Sequence, residues 1–174
     1  MSGVRPTLHT ARLVLRAPTT RDRDALVALA GEREVSRWLA RVPHPYTHAD
    51  ADAFLALAED ETVWAIADRT SDALMGTITL APLDNPDEPG AAELGYWLGR
   101  PFWGQGYGAE AVARILAHAF EERAVPAVRA RYVGDNAASA GLLRKFGFEA
   151  VAVPTIPPED CTAMCDTEVV LRRP

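Results

Sequence analysis

The residue types best suited to chemistry lie in one glycine-rich turn, Trp103-Gly104-Gln105-Gly106-Tyr107-Gly108. The apolar and aromatic run from Glu93 to Gly99 precedes it and predicts a strand. Apolar residues recur at helical spacing after it and predict an amphipathic helix from Ala109 to Arg123. Glycines let a backbone approach a ligand closely, and the free N–H groups of a first helical turn attract anions. This stretch therefore predicts a site for a diphosphate-containing cofactor.

Two diphosphate ligands compete for this turn, a dinucleotide and coenzyme A. Gly104, Gly106 and Ala109 satisfy the loose dinucleotide spacing, which is weak evidence by itself. Residues 100–103 separate the strand from the first glycine, whereas a Rossmann turn starts at the strand end. Only one β-turn-α-β unit follows, and three predicted strands with hairpin-type connections precede the turn. The residues favour coenzyme A, and a dinucleotide enzyme ranks third among the functional hypotheses.

Three motifs together resemble the GNAT N-acetyltransferases. The run from Gly95 to Ala111 resembles the acyl-CoA-binding motif of that family, and Asn136-Ala137-Ala138-Ser139 followed by residues 144–148 resembles its second signature. The pattern L-x-T-x-R-L-x-L-R over Leu8 to Arg16, followed by Asp22, is similar to the branch that acetylates the N-termini of ribosomal proteins. The likeness covers nearly the whole chain, and the two cofactor motifs at this spacing are specific as a pair.

The resemblance implies one α+β (mixed α/β) domain over residues 1–174. Its twisted mixed sheet would be splayed at the cofactor site, flanked by helices, and would bind acetyl-CoA as cosubstrate without a metal. Pantetheine would lie in the gap, and the pyrophosphate would contact backbone N–H groups of Trp103, Gly104, Gln105, Gly106, Tyr107 and Gly108. The superfamily usually has Gln or Arg at the position of Trp103. Because the expected contacts come from the backbone, the tryptophan should not abolish binding.

Acyl transfer from a thioester to an amine needs a deprotonated amine, a stabilised oxyanion and a protonated or tolerated leaving thiolate. The backbone N–H of Leu98 is the predicted oxyanion donor. Glu93 is either a base that accepts the amine proton, directly or through water, or a solvated carboxylate. Many GNAT enzymes have a tyrosine acid where Leu143 stands here. Ser139 is the alternative that the branch offers, as a contact to the coenzyme sulfur, and its competing role is to satisfy a backbone group in the first helical turn.

Other candidates carry a structural alternative as well. Asn136 would contact the pantetheine amide or only cap a helix. Arg144 and Lys145 would contact the 3′-phosphate of coenzyme A or form a solvated basic turn. Glu159 would reach the acceptor or be an exposed loop acid. Five aromatic residues would line an acceptor slot or pack in the core: Trp38, Tyr46, Tyr96, Trp97 and Phe102.

The elements that must position these residues follow the predicted order β-α-α-β-β-β-α-β-α-β-β around one twisted sheet. Asp135-Asn136 is expected to cap a helix from about Ala137 to Lys145, and Gly147 to end it. His118 lies in the helix after the glycine turn and is expected to face away from the core. No repeat or domain-scale linker interrupts this order.

Composition excludes several classes of function. The 174 residues suit one domain, and a net charge of −6 argues against general nucleic-acid binding. No apolar run is long enough to cross a bilayer, and the N-terminus lacks the apolar segment of a secretory signal, so a cytoplasmic protein without membrane contact is expected. Cys161 and Cys165 are expected to be reduced thiols, because no second cysteine pair completes a zinc site.

The sequence therefore predicts an acetyl-CoA-dependent N-acyltransferase acting on a primary amine. A protein N-terminus is the favoured acceptor by resemblance, and a small amine or aminoglycoside stays open. The rival from another class is a non-catalytic acyl-CoA-binding or sensing domain, because the usual tyrosine is missing and no base is certain. The amine acceptor and the choice between monomer and homodimer are not encoded in a recognisable motif.

Overall fold

The computed structural model describes residues 5–39, 42–58, 62–151 and 167–173. These residues form an eight-stranded sheet with the order β1-β2-β3-β4-β5-β6-β8-β7. All neighbours are antiparallel except β5 and β6. The strands are β1 (Leu8–His9), β2 (Leu13–Arg16), β3 (Val63–Asp68), β4 (Leu74–Pro82), β5 (Ala92–Leu98), β6 (Ala127–Tyr132), β7 (Glu149–Ala150) and β8 (Thr167–Arg172). The helices are α1 (Arg23–Ala30), α2 (Arg33–Ser36), α3 (His48–Leu57), α4 (Tyr107–Ala117) and α5 (Ala137–Lys145).

Two apolar clusters hold helices against this sheet. The larger joins the sheet to α4 through buried residues such as Leu13, Trp64, Ile78 and Ile115. The smaller joins α1 and α3 to the sheet around Leu26 and other buried residues. Burial of a large aliphatic or aromatic side chain stabilises a fold by about 1.5–3 kcal/mol. Because residues of α4 and of the strands share the larger cluster, this packing fixes the position of α4 relative to the sheet.

The sheet opens between β5 and β6, the only parallel pair among the described strands. Pairing is confined to Ala92 with Val128, Glu93 with Arg129 and Leu94 with Ala130. Beyond Leu94 the two strands part, although β5 stays paired to β4 as far as Leu98. The α+β fold with a mixed, splayed sheet flanked by helices is therefore confirmed.

One prediction about the helices was wrong. His118 is buried and packs edge-on against the ring of Trp64, with 5.8 Å between the ring centres. Its Nδ1 donates a hydrogen bond to the Glu122 carboxylate at 2.8 Å. The histidine follows the buried Ile115 by three positions and therefore lies on the core face of the helix. The last turn, His118–Glu122, is a π-helix, which shifts the pattern of buried positions at the end of the segment.

Several sequence predictions concern residues beyond the described ranges. Glu159, Cys161 and Cys165 lie outside the part of the chain that the structure describes. Within residues 5–39, 42–58, 62–151 and 167–173, no helix is long and apolar enough to cross a membrane.

Candidate active site

A cavity of about 1250 Å³ lies where β5 and β6 part. Its wall combines strand ends, the glycine turn, the first turn of α4, much of α5 and part of the α2 region. The sequence-predicted residues that line it are Leu98, Trp103, Gly104, Gly106, Tyr107, Gly108, Asn136, Ser139, Arg144 and Lys145. Residues far apart in the chain therefore share one concave site, which is the usual form of a small-molecule pocket.

The glycine turn presents backbone to this cavity. Gly104 has φ +72° and Gly106 has φ +82°, a left-handed conformation that side chains with a Cβ rarely adopt. No heavy atom lies within 4 Å of a Cβ built on Gly104, so that position faces open space. Gly106 caps α4 without a side-chain hydrogen bond, and the first N–H groups of the helix have no acceptor within the helix itself. The turn is thus built to meet an anion with backbone donors.

Arg12 braces the turn from the opposite side. Its Nη1 donates to the carbonyl oxygen of Gln105 at 3.0 Å, and its Nε donates to Glu110 Oε2 at 2.7 Å. Its guanidinium lies 4.2 Å from the centre of the Tyr107 ring. Glu110 also accepts from the Thr10 hydroxyl, so a carboxylate in the first turn of α4 is anchored on the loop before β2. The L-x-T-x-R motif therefore holds the glycine turn in position through Thr10 and Arg12.

Burial would raise the pKa of the Glu110 carboxyl, but hydrogen bonds from Thr10 and from the backbone and side chain of Arg12 outweigh it. The pKa of Glu110 accordingly lies below its ordinary range. A carboxylate that is held ionised at this position also complements the positive end of the α4 dipole.

Gln105 is the member of the predicted turn that is not part of the cavity wall among the described residues. Its side-chain amide donates to the carbonyl oxygen of Pro101 at 2.7 Å. Trp103 is similarly tied back, because its Nε1 donates to the carbonyl oxygen of Leu98 at 2.7 Å. These two bonds close the turn onto the end of β5 and fix its distance from the gap.

The backbone N–H groups of Tyr96 and Leu98 point into the gap. In an antiparallel pair of strands, residue pairs that exchange hydrogen bonds alternate with pairs that do not. Because the Gly99 N–H donates to the Met75 carbonyl oxygen, the pairs Leu98–Gly76 and Tyr96–Ile78 exchange no hydrogen bonds. Their N–H groups therefore face the other edge of β5, where β6 has already moved away. Leu98, the predicted oxyanion donor, has the orientation that this role requires.

Ser139 and Asn136 lie in the first turn of α5. The side-chain oxygen of Asn136 accepts a hydrogen bond from the Ser139 N–H at 3.1 Å and therefore caps the helix, which was the structural alternative for this residue. The Ser139 hydroxyl faces the cavity, and the Tyr96 hydroxyl donates to it at 3.3 Å. Leu143 is buried and supplies no acid.

Glu93, the candidate base, forms an ion pair with an arginine of β6. It accepts two hydrogen bonds from Arg131, from Nε at 3.0 Å and from Nη2 at 3.3 Å. Arg131 belongs to the cavity wall, whereas Glu93 does not among the described residues. Its carboxylate oxygens are engaged by a guanidinium, which leaves them poorly placed to accept a proton from a bound amine.

The remaining wall is aromatic and acidic. Four of the five predicted aromatic residues line the cavity, namely Trp38, Tyr96, Trp97 and Phe102. Tyr46 instead packs with the second cluster, beside α1 and α3. Glu34 and Val35 of α2 complete this end, and an ion pair between Glu32 and Arg100 at 3.1 Å ties the start of α2 to the segment before the glycine turn.

These residues fit coenzyme A. The cavity is large enough for an extended ligand, and its wall includes the N-terminus of α4 and the basic residues Arg144 and Lys145 on α5. Arg144 and Lys145 are in the last turn of α5, where the helix dipole also favours cations. Among the residues in the described ranges, no group of three or more histidine, cysteine, aspartate or glutamate side chains is arranged to hold a metal ion.

Comparison with known proteins decides the family. The sequence model of the acetyltransferase (GNAT) domain matches residues 12–149, which span the braced turn, the gap and α5. The chain belongs to the GNAT acetyltransferase family. An acetyl-CoA-dependent acetyltransferase activity follows from this membership and from its relatives. The uncharacterized N-acetyltransferase p20 of Bacillus licheniformis is 29% identical over 148 residues, which cover 82% of each chain.

Solved GNAT structures share the fold at low identity. The chain superposes on Mycobacterium smegmatis RimJ, determined in complex with CoA-disulfide, with a TM-score of 0.74 at 17% identity, over 97% of this chain and 88% of that one. A Vibrio cholerae protein provisionally assigned as a ribosomal-protein-serine acetyltransferase gives a TM-score of 0.76 at 18% identity, over 98% and 99%. At these identities the likeness is one of fold.

Sequence reasoning missed two features of this GNAT site. It did not pair Tyr96 with Ser139, because the contact joins residues 43 positions apart on different elements. It also gave Arg12 no task, since the partner Glu110 is 98 residues away. The tyrosine was noted only as a candidate wall residue, and nothing in its local pattern separates that role from a hydrogen-bonded one.

Proposed function

We propose that this GNAT acetyltransferase transfers the acetyl group of acetyl-CoA to a primary amine, and that a protein N-terminal amine is the favoured acceptor. The observation that carries the proposal is the continuity of the cavity. One space runs from the glycine turn through the β5–β6 gap to α2, where Glu34 and Trp38 border it. An acidic and aromatic wall suits a cationic amine.

The acceptor class rests on two further arguments. The L-x-T-x-R-L-x-L-R motif with Asp22 resembles the branch that acetylates ribosomal-protein N-termini. The Vibrio cholerae neighbour carries the name of a ribosomal-protein-serine acetyltransferase. An extended chain end could enter beside α2 with its amine directed at the gap, whereas a side-chain amine within a folded protein would bring more bulk.

We assign the residue roles as follows. The N–H groups of the glycine turn bind the pyrophosphate, Arg144 and Lys145 contact the 3′-phosphate, and Asn136 lies beside the pantetheine arm. The N–H of Leu98 stabilises the developing oxyanion because it faces the gap without a strand partner. The Ser139 hydroxyl contacts the sulfur. The amine loses its proton to water, since the ion pair with Arg131 counts against the base role predicted for Glu93.

An acceptor screen tests the proposal. Release of coenzyme A is measured with peptides that begin with a free serine or alanine, with the same peptides blocked at the N-terminus and carrying a lysine, and with polyamines and an aminoglycoside. We expect the free N-terminal peptides to give the highest kcat/KM. Faster turnover of a small amine would overturn the favoured acceptor, and tight binding of acetyl-CoA without turnover of any amine would establish the sensing-domain alternative.

We also propose that the enzyme works in the cytoplasm without nucleic acid or membrane contacts, as a monomer or homodimer. The net charge of −6 and the apolar patterning of the sequence support this placement. Sedimentation of the purified protein decides between the two assembly states.

A further inference from the structure

Tyr96 and Ser139 form a hydrogen-bonded pair inside the active-site cavity. The phenolic O–H donates to Ser139 Oγ at 3.3 Å, across the gap between β5 and α5. Both residues belong to the cavity wall. Because the serine oxygen accepts this bond, its own hydrogen is free to point elsewhere, and no acceptor for it is present among the described residues.

The position of this pair matters because the tyrosine acid of many GNAT enzymes is missing from its usual place in this chain. Leu143 occupies the place where many GNAT enzymes carry a tyrosine, and it is buried in the core cluster. A serine hydroxyl alone is a poor acid, since the alkoxide left behind is strongly basic. A hydrogen-bond donor to the serine oxygen makes the serine a better acid, because it stabilises the negative charge that develops on that oxygen as the proton leaves.

We infer that Tyr96 is the proton-relay partner of Ser139 and that the two hydroxyls act as one unit when the thiolate of coenzyme A departs. This inference rests on the proposed contact between Ser139 and the sulfur. Burial would also raise the pKa of the Tyr96 hydroxyl, in opposition to its hydrogen bond with Ser139, and the net direction is upward. The phenol therefore stays protonated and able to donate at neutral pH.

The proton balance of the relay is complete. As the carbon–sulfur bond breaks, its electron pair stays on sulfur, and Ser139 gives its hydroxyl proton to that sulfur. The Tyr96 proton moves to the serine oxygen along the existing hydrogen bond. The phenolate regains a proton from water, which has received one from the attacking amine, so no further reactant is needed.

The kinetic test compares Tyr96→Phe, Ser139→Ala and the double variant. We expect Tyr96→Phe to lower kcat at least tenfold, with the KM for acetyl-CoA unchanged within twofold, because general acid catalysis contributes about 10²–10⁴ in rate. The double variant should be no slower than Ser139→Ala, since residues acting as one unit are not additive. Tyr46→Phe, which removes a phenolic hydroxyl in the second cluster, should keep the wild-type kcat.

A binding test needs no acceptor and separates this inference from the proposed function. The affinities for coenzyme A and for desulfo-coenzyme A, which lacks the sulfur, are measured by calorimetry. Wild type should bind coenzyme A several-fold more tightly, and Tyr96→Phe and Ser139→Ala should each lose that preference while binding the desulfo ligand normally. An unchanged preference in either variant, a kcat of Tyr96→Phe within twofold of wild type, or multiplicative kinetic effects would overturn the relay. Absence of turnover in wild type with the preference intact would overturn the proposed acetyl transfer, while the contact of the Tyr96–Ser139 pair with the sulfur would stand.

Discussion

Arg12 and Glu110 join the loop before β2 to the first turn of α4 through a hydrogen-bonded ion pair of 2.7 Å. The same guanidinium reaches the carbonyl oxygen of Gln105 inside the glycine turn. Exposed ion pairs contribute little stability by themselves, about 0–1 kcal/mol. The contact holds the backbone that we propose to bind the pyrophosphate, so we expect position rather than energy to be its main contribution.

Replacement of Arg12 by alanine should therefore weaken coenzyme A binding by about tenfold and lower the free energy of unfolding by no more than about 1 kcal/mol, because the ion pair is partly exposed. Calorimetric titration and urea unfolding measure the two effects. Arg21→Ala removes an equal charge from a side chain that is 79% exposed and serves as the matched control. An Arg12→Ala protein that binds coenzyme A like the Arg21→Ala protein would contradict the bracing role.

A second prediction concerns the two positive-φ glycines. Gly104→Ala and Gly90→Ala introduce the same kind of backbone strain, since their φ angles are +72° and +83°. Each should cost about 1–2 kcal/mol of stability. Only Gly104 lines the cavity, so its added methyl group should also lower the affinity for coenzyme A by tenfold or more. Equal affinities in the two variants would show that the turn is not the binding surface.

A third prediction is the pH dependence of stability set by Asp22. Burial would raise the pKa of this carboxyl, but hydrogen bonds from Arg16 and Thr19 outweigh it, and the pKa lies below the ordinary value of 3.8. The unfolded chain therefore binds the proton first as the pH falls, so the stabilisation is full above about pH 4 and is lost through the folded-state pKa.

Asp22→Asn should accordingly lower the free energy of unfolding at pH 7 by about 3 kcal/mol, because Arg16 is left without its buried partner. The difference from wild type should shrink as the pH falls below about 4 in urea unfolding experiments. Asp24→Asn changes a side chain that is 89% exposed and should leave the profile unaltered. A constant difference at every pH would refute the assignment.

A fourth prediction locates the acceptor end of the cavity at α2. Trp38→Ala should raise the KM for the amine by about tenfold, because it removes an aromatic wall, and should leave the KM for acetyl-CoA within twofold. Glu34→Gln should raise the KM of cationic acceptors by a smaller factor. The reason is that Glu34 Oε2 lies 3.8 Å from Arg37 Nη1, and this ion pair already offsets part of the carboxylate charge. Initial rates with both substrates varied separate these effects. A change confined to acetyl-CoA would place the acceptor elsewhere.

Local signals predicted those parts of the site that depend on neighbouring residues in the chain. The bounds of α5, Ala137–Lys145, matched the prediction because Asn136 caps the helix and Gly147, at φ +85°, ends it. The glycine turn was found for a similar reason, since its glycines and the following apolar period are adjacent. The helix begins at Tyr107 rather than Ala109, a difference within the first turn.

Contacts between distant residues could not be derived in this way. The ion pair that engages Glu93 comes from Arg131, on the strand beyond the gap. The expectation for His118 was wrong because its spacing of three residues from the buried Ile115 was not considered, and because no local pattern signalled the π-helical turn. The two-residue strand β1 was missed, since its pairing depends on a return of the chain onto β2.

The most direct measurement of the central claim is calorimetric titration with acetyl-CoA, coenzyme A and NAD, on wild type and on Gly106→Trp. Gly106 lines the cavity at φ +82°, and a Cβ built there lies 3.4 Å from Arg12 Nη2, so an indole there should strain the turn and displace the arginine that holds its backbone in position. We expect wild type to bind both coenzyme A compounds and not NAD, and Gly106→Trp, shown to be folded by circular dichroism, to bind none of them. Binding of NAD by wild type, or undiminished binding of coenzyme A by folded Gly106→Trp, would contradict the assignment of this turn.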